Sequence, residues 1–80
     1  MPRRYRRVIG AGAALRLLGN RRDIAKLVRN TGQREYNDGV EEFTPVEAPC
    51  GCRLYYHGGI GRWVIIGYSR EAIDAALRRS

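Results

Sequence analysis

The sequence predicts a small α+β domain in which helices pack on one face of a small antiparallel sheet. Apolar residues recur at helical spacing in three segments, and aromatic and β-branched residues concentrate in two short segments around a glycine-rich loop. The 80 residues form a single domain, residues 1–80. The predicted order is α-α-β-β-β-α, with two or three strands and a central hairpin over residues 52–68.

The first predicted helix lies in the amino-terminal segment. Its apolar residues fall on one helical face: Val8, Ala11, Leu15 and Leu18. Gly19 is expected to end this helix. The arginine-rich residues 1–7 before it are expected to form a flexible basic arm.

A second helix is predicted from Arg21 to Asn30, with Asn20 as its N-cap and Gly32 as its C-terminal stop. Its inward face is expected to consist of Ile24, Leu27, Val28 and Thr31. Its outward face carries a stripe of three cations, spaced by about one helical turn: Arg22, Lys26 and Arg29. Such a stripe can follow a phosphate backbone, and it is equally typical of an ordinary solvated helix face.

The middle of the chain predicts a turn followed by strands. Asn37-Asp38-Gly39 is a turn signal. The segment from Val40 to Val46 contains Pro45 and can be at most an edge strand, because proline donates no backbone hydrogen bond. The segments from Cys52 to His57 and from Arg62 to Tyr68 are predicted to form the hairpin.

An even-numbered hairpin loop fixes the register of these two strands. It places Tyr56 opposite Trp63 and Leu54 opposite Ile65. One face is then expected to be core: Cys52, Leu54, Tyr56, Trp63 and Ile65. The other face combines rings, cations and aliphatic side chains: Arg53, Tyr55, His57, Arg62, Val64, Ile66 and Tyr68. That face is either a stacking platform for bases or a buried face covered by another element or partner.

The last predicted helix runs from Arg70 to Arg79, with Ser69 as its cap. Its buried face is expected to consist of Ala72, Ile73, Ala76 and Leu77. Asp74 and Arg78 are spaced to form an i, i+4 ion pair on the outside.

Charge is the strongest global feature of the sequence. There are 15 lysine and arginine residues against 8 aspartate and glutamate residues, for a net charge of +7. The charge is uneven, because residues 1–30 and 53–80 are basic and residues 31–52 are acidic. Such a balance favours polyanionic partners. A composition rich in arginine also arises in GC-rich genomes without any nucleic-acid binding.

These features predict a small, non-enzymatic protein that binds DNA or RNA without sequence specificity and in a salt-dependent manner. The expected binding residues are Arg22, Lys26, Arg29, Arg53, Tyr55 and Arg62. The alternative is a small accessory protein, of the type that phages encode, which binds and modulates a host protein. In that case the acidic residues 35–47 or the free sheet face would form the contact.

Catalytic and metal sites are not expected. His57 is the only histidine, and no acid lies near it in the sequence to form a catalytic pair. Cys50 and Cys52 fall on the same side of an extended chain and are expected to be structural thiols, with a metal site or a redox pair as alternatives. We therefore expect no cofactor.

No membrane partner is expected, because no apolar run approaches the roughly 18 residues of a membrane span. The arginine-rich start of the chain resembles the first part of a targeting signal, but Arg16 interrupts the apolar segment that follows. The expected location is therefore the cytoplasm.

Overall fold

The computed structural model describes residues 4–37, 46–47 and 51–79, which form three helices and one antiparallel sheet of four strands. The elements are β1 (Tyr5–Ile9), α1 (Ala11–Leu17), α2 (Arg22–Asn37), β2 (Val46–Glu47), β3 (Arg53–His57), β4 (Arg62–Gly67) and α3 (Arg70–Arg79). The strand order in the sheet is β1-β4-β3-β2. The predicted α+β class is confirmed, whereas the number of strands is larger than predicted.

The additional strand is β1, at the edge of the sheet. Tyr5–Ile9 pairs with β4 along its whole length, and the first helix begins only at Ala11. Residues 5–7 therefore belong to the sheet, which corrects the prediction of a flexible arm over residues 1–7. Residues 1–3 lie outside the described residues. The element order becomes β-α-α-β-β-β-α.

Side-chain contacts with α3 tie β1 to the rest of the domain. The Arg7 guanidinium forms an ion pair with Asp74, and the Arg70 guanidinium lies 5.7 Å from the centre of the Tyr5 ring. Asp74 thus forms its close ion pair with Arg7, and the hydrogen bond from Arg7 lowers the pKa of Asp74. The predicted i, i+4 partner Arg78 adds a weaker charge attraction that also lowers the pKa of Asp74.

The hairpin has the predicted register. Tyr56 lies opposite Trp63 and Leu54 lies opposite Ile65, as the even-numbered loop requires. The strands are slightly shorter than predicted and leave a loop over residues 58–61. Gly61 in this loop has a φ of 64°, a conformation that L-residues rarely adopt.

The core joins one face of the sheet to all three helices. The sheet contributes the predicted inward residues Cys52, Leu54, Tyr56, Trp63 and Ile65. The helices contribute Ala14, Leu17 and Leu18 from α1, Val28 from α2, and Ile73 and Ala76 from α3. Leu27 was predicted to face inward from α2 and is exposed instead. The prediction that the helices pack on one face of the sheet agrees with this core.

α2 is longer than predicted, because Gly32 does not end it. A Cβ atom at Gly32 would lie 2.0 Å from the carbonyl oxygen of Tyr56, so the glycine allows α2 to pack directly against β3. Asn20 is not the N-cap, because its φ is 60° and α2 begins only at Arg22. The predicted turn starts at Asn37, the last residue of α2, and continues outside the described residues.

The third helix agrees with its predicted bounds and cap. The Ser69 hydroxyl accepts a hydrogen bond of 3.1 Å from the backbone N–H of Ala72. Ile73 and Ala76 are buried as predicted, and Leu77 is half-buried. Of the predicted strand over residues 40–46, Val46 lies in β2, and residues 40–45 lie outside the described residues. Within the described ranges, no helix combines the length and the apolar character that crossing a membrane requires.

Candidate functional site

A cavity of about 550 Å³ forms an open groove between α1 and α2. We call it the α1–α2 groove. It is lined by Ala11, Leu15, Arg22, Ala25, Lys26, Arg29, Asn30, Gln33 and Trp63. None of these described lining residues is acidic and three of them are cations, so the lining is positively charged.

The three cations of the predicted stripe all line this groove. Arg22, Lys26 and Arg29 are exposed and occupy positions i, i+4 and i+7 of α2. At about 1.5 Å of rise per residue, they cover about 10 Å of the helix axis. The structure therefore places the stripe on the wall of a concave surface, which the sequence did not predict.

A second cavity of about 230 Å³ adjoins the groove and shares Ala11, Arg29 and Trp63 with it. Arg62, the first residue of β4, lines this second cavity. The two cavities together bring Arg62 near the three cations of α2. Four of the six predicted binding residues are thus associated with one region.

Arg29 is the cation that connects the groove to the sheet. Its guanidinium carbon lies 5.5 Å from the centre of the Tyr56 ring, within the range of a cation–π interaction. The Tyr56 ring in turn meets Trp63 edge to face, with 5.5 Å between the ring centres. This stack fixes the Arg29 side chain on the buried aromatic residues of the hairpin.

The groove cations are not neutralised by acids of the described residues. Ion pairs between these residues join Arg7 to Asp74 and Arg21 to Asp23. Asp23 is the residue after Arg22, but its carboxylate accepts hydrogen bonds from Arg21 at 3.3 and 3.1 Å. The hydrogen bond from Arg21 lowers the pKa of Asp23. Arg22 therefore stays available to an anion in the groove.

Arg53 and Tyr55 lie elsewhere. Arg53 is exposed and lines a small recess with Arg4, Gly51, Ile66, Gly67 and Tyr68. The Tyr55 side chain is only 7% exposed and does not offer a ring face to a base, which agrees with the buried alternative for this face and not with the stacking platform. Tyr55 lies in register with Val64, which is buried, and with Val8 beyond it. The centre of this second face is therefore apolar and largely buried.

Cys52 and His57 lie in different parts of the fold and do not form a common site. Cys52 is buried, and its sulfur lies 4.0 Å from the carbonyl oxygen of Ala72. His57 is half-buried, with its ring centre 5.8 Å from that of Tyr36. Within residues 4–37, 46–47 and 51–79, no group of three potential metal ligands comes together, and Cys50 lies outside these ranges.

Two polar groove residues were not predicted from the sequence. Asn30 and Gln33 are exposed and lie at positions i+8 and i+11 from Arg22, on the face that lines the groove. The periodicity that groups the cations extends to both residues. Gln33 was missed because the prediction ended the helix before Gly32, whereas Asn30 lay within the predicted helix and was left out of a stripe defined by charge.

Comparison with known proteins adds no evidence about this groove. The chain has no significant match to a protein-family model, to a curated protein or to a solved structure.

Proposed function

We propose that this protein is a non-enzymatic nucleic-acid-binding protein of the cytoplasm, and that phosphates bind in the α1–α2 groove. The observation that carries the proposal is the convergence of Arg22, Lys26 and Arg29 on one concave surface to which the described part of the chain contributes no acid. Arg62 in the adjoining cavity extends the same positive region.

Exposed cations are well suited to this function. When they neutralise phosphates, they release the counterions that are condensed on the nucleic acid. Four phosphate contacts would give a slope of log affinity against log salt of about −3, whichever sequence is bound. Because these cations form no ion pair with a described residue, no ion pair has to break before binding. Arginine also contacts phosphate oxygens through two parallel hydrogen bonds.

The test compares two triple variants that remove the same charge. In the groove variant, Arg22, Lys26 and Arg29 are replaced by Gln. In the matched control, three exposed arginines outside the groove are replaced by Gln: Arg16, Arg34 and Arg78. Fluorescence anisotropy with labelled DNA and RNA oligonucleotides at several salt concentrations gives the affinity and the salt slope of each.

The groove variant should bind at least about 10-fold more weakly, with a salt slope smaller in magnitude by about 2 to 3. The control should retain most of the affinity and of the slope. Equal losses in both variants would show that net charge acts without a defined site, and absence of binding by the wild type at low salt would overturn the proposal.

A second candidate function is favoured by the sheet face opposite the helices. Val8 is 54% exposed and Tyr68 is 66% exposed, and exposed apolar side chains are common in protein interfaces. A host protein bound there should still be captured by the groove variant and should be lost when Val8 and Tyr68 are both replaced by Ser. The acidic alternative involves residues 35–47, of which residues 38–45 lie outside the described residues.

A further inference from the structure

The α1–α2 groove has a charged rim and an apolar floor. The rim carries Arg22, Lys26 and Arg29, which are exposed. The rest of the groove includes Ala11, Leu15, Ala25 and Trp63. We propose that the groove binds a single, unpaired nucleic-acid strand, with phosphates on the rim and bases on the floor. This inference rests on the proposed function.

The apolar floor distinguishes between a single strand and a duplex. In a duplex the bases are paired and stacked, so a protein groove that takes up the backbone meets sugars and phosphates. Phosphates placed against Ala11 and Leu15 would lose water without gaining a hydrogen bond from these side chains, which is unfavourable. An unpaired base instead offers an apolar face that can lie on this floor while its phosphate stays at the rim.

The length of the groove suits a short stretch of single strand. The lining residues of α2 run from Arg22 to Gln33, which covers about 16 Å at 1.5 Å of rise per residue. Stacked bases in one strand are about 3.4 Å apart, so this length accommodates about four or five nucleotides.

Two amide side chains continue the groove beyond its last cation on α2. Asn30 and Gln33 are exposed and line the same cavity as Arg29. An amide group carries both donors and an acceptor and can therefore pair with the edge of any base. In a duplex the Watson–Crick edges are occupied, whereas in a single strand they are free for these amides.

The experiment compares a single-stranded 12-mer of DNA or RNA with a duplex hairpin that has the same number of phosphates. Anisotropy titrations at the same low salt concentration should show about 10-fold tighter binding of the single strand, the effect of placing one base on the floor. DNA and RNA forms of each ligand identify the preferred sugar.

One variant tests the floor without changing charge. Ala11→Leu adds bulk to the groove at an exposed position that lines both cavities. It should weaken single-strand binding about 5-fold and leave duplex binding unchanged within twofold. Gly12→Ala is the matched control, because this α1 position does not line the groove and has open space around it. Circular dichroism confirms that both variants fold.

The outcomes separate the two proposals. If neither ligand binds at low salt, the proposed function fails. If the duplex binds as tightly as the single strand, or if Ala11→Leu leaves single-strand affinity unchanged, nucleic-acid binding stands and the single-strand inference is overturned.

Discussion

The two faces of α2 perform different tasks. On the face toward the sheet, Val28 is buried and Gly32 lies against the backbone of Tyr56. On the face toward the groove, Arg22 and Lys26 are exposed and form no ion pair with a described residue. Substitutions on the face toward the sheet should therefore change stability, and substitutions on the face toward the groove should change binding. Arg29 is the exception, because it takes part in both.

The largest effect is expected for Gly32→Ala. The new Cβ atom would lie 2.0 Å from the carbonyl oxygen of Tyr56, so α2 and β3 would have to move apart. Overpacking of this kind costs about 3 kcal/mol, even though alanine is intrinsically the better helix former. Urea unfolding followed by circular dichroism measures the free energy of unfolding.

Gly12→Ala provides the comparison within another helix. Gly12 lies in α1, and a Cβ atom there would have no heavy atom within 4 Å, so alanine should stabilise the protein by about 0.5–1 kcal/mol. Opposite signs at the two glycines would confirm that close packing, and not helix propensity, determines the result at Gly32. A gain in stability for Gly32→Ala would contradict the contact with Tyr56.

An intermediate effect on stability is expected at Arg29, which contacts both the groove and the sheet. Arg29→Gln removes the cation–π contact with Tyr56 and should lower the free energy of unfolding by about 0.5–1 kcal/mol. Lys26→Gln, one turn earlier on the groove wall, should leave it nearly unchanged. Both substitutions should weaken nucleic-acid binding. Equal unfolding free energies for the two variants would show that the Arg29 contact contributes nothing to stability.

The parts of the fold that follow local rules could be predicted from the sequence. The hairpin register follows from the parity of its loop and from alternation along the strands, and Tyr56 does lie opposite Trp63. The third helix follows from its periodicity and from the Ser69 cap, which the hydrogen bond to Ala72 confirms. Both signals involve residues close together in the chain.

The parts that were missed depend on contacts between distant segments. Tyr5–Ile9 becomes a strand through its pairing with β4, and the ion pair of Arg7 with Asp74 joins residues 67 positions apart. The need for a glycine at position 32 likewise comes from its close contact with Tyr56 of β3. A glycine at the end of an apolar pattern is a normal stop signal, and packing overrides it here.

Only part of the candidate site could be predicted, because the rest of it also depends on contacts between distant segments. Helical periodicity alone groups Arg22, Lys26 and Arg29, and the structure places all three in one cavity. The floor of that cavity needs α1 and β4, whose relative positions the sequence does not reveal. Tyr55 was assigned to the correct face of the sheet, but its burial depends on packing across strands.

The smallest effect on stability is expected for Asp23, in the first turn of α2. The hydrogen bond from Arg21 lowers the pKa of Asp23 in the folded protein, below the value of about 3.9 for an unfolded chain. The stability that Asp23 contributes is therefore present above about pH 3.9 and is lost as the pH falls through the folded-state pKa. Asp23→Asn should lower the urea midpoint at pH 6 and have a smaller effect at pH 2.5.

Glu71→Gln is the matched control, because Glu71 is an acid in the first turn of α3 that belongs to neither described ion pair. Both carboxylates lie near a helix N-terminus and interact favourably with its dipole. The difference between the two variants therefore reports the hydrogen bonds of Asp23, of which the one from Arg21 lowers its pKa most. If Asp23→Asn and Glu71→Gln lower the urea midpoint at pH 6 equally, the ion pair of Asp23 with Arg21 adds nothing to the stability of the fold.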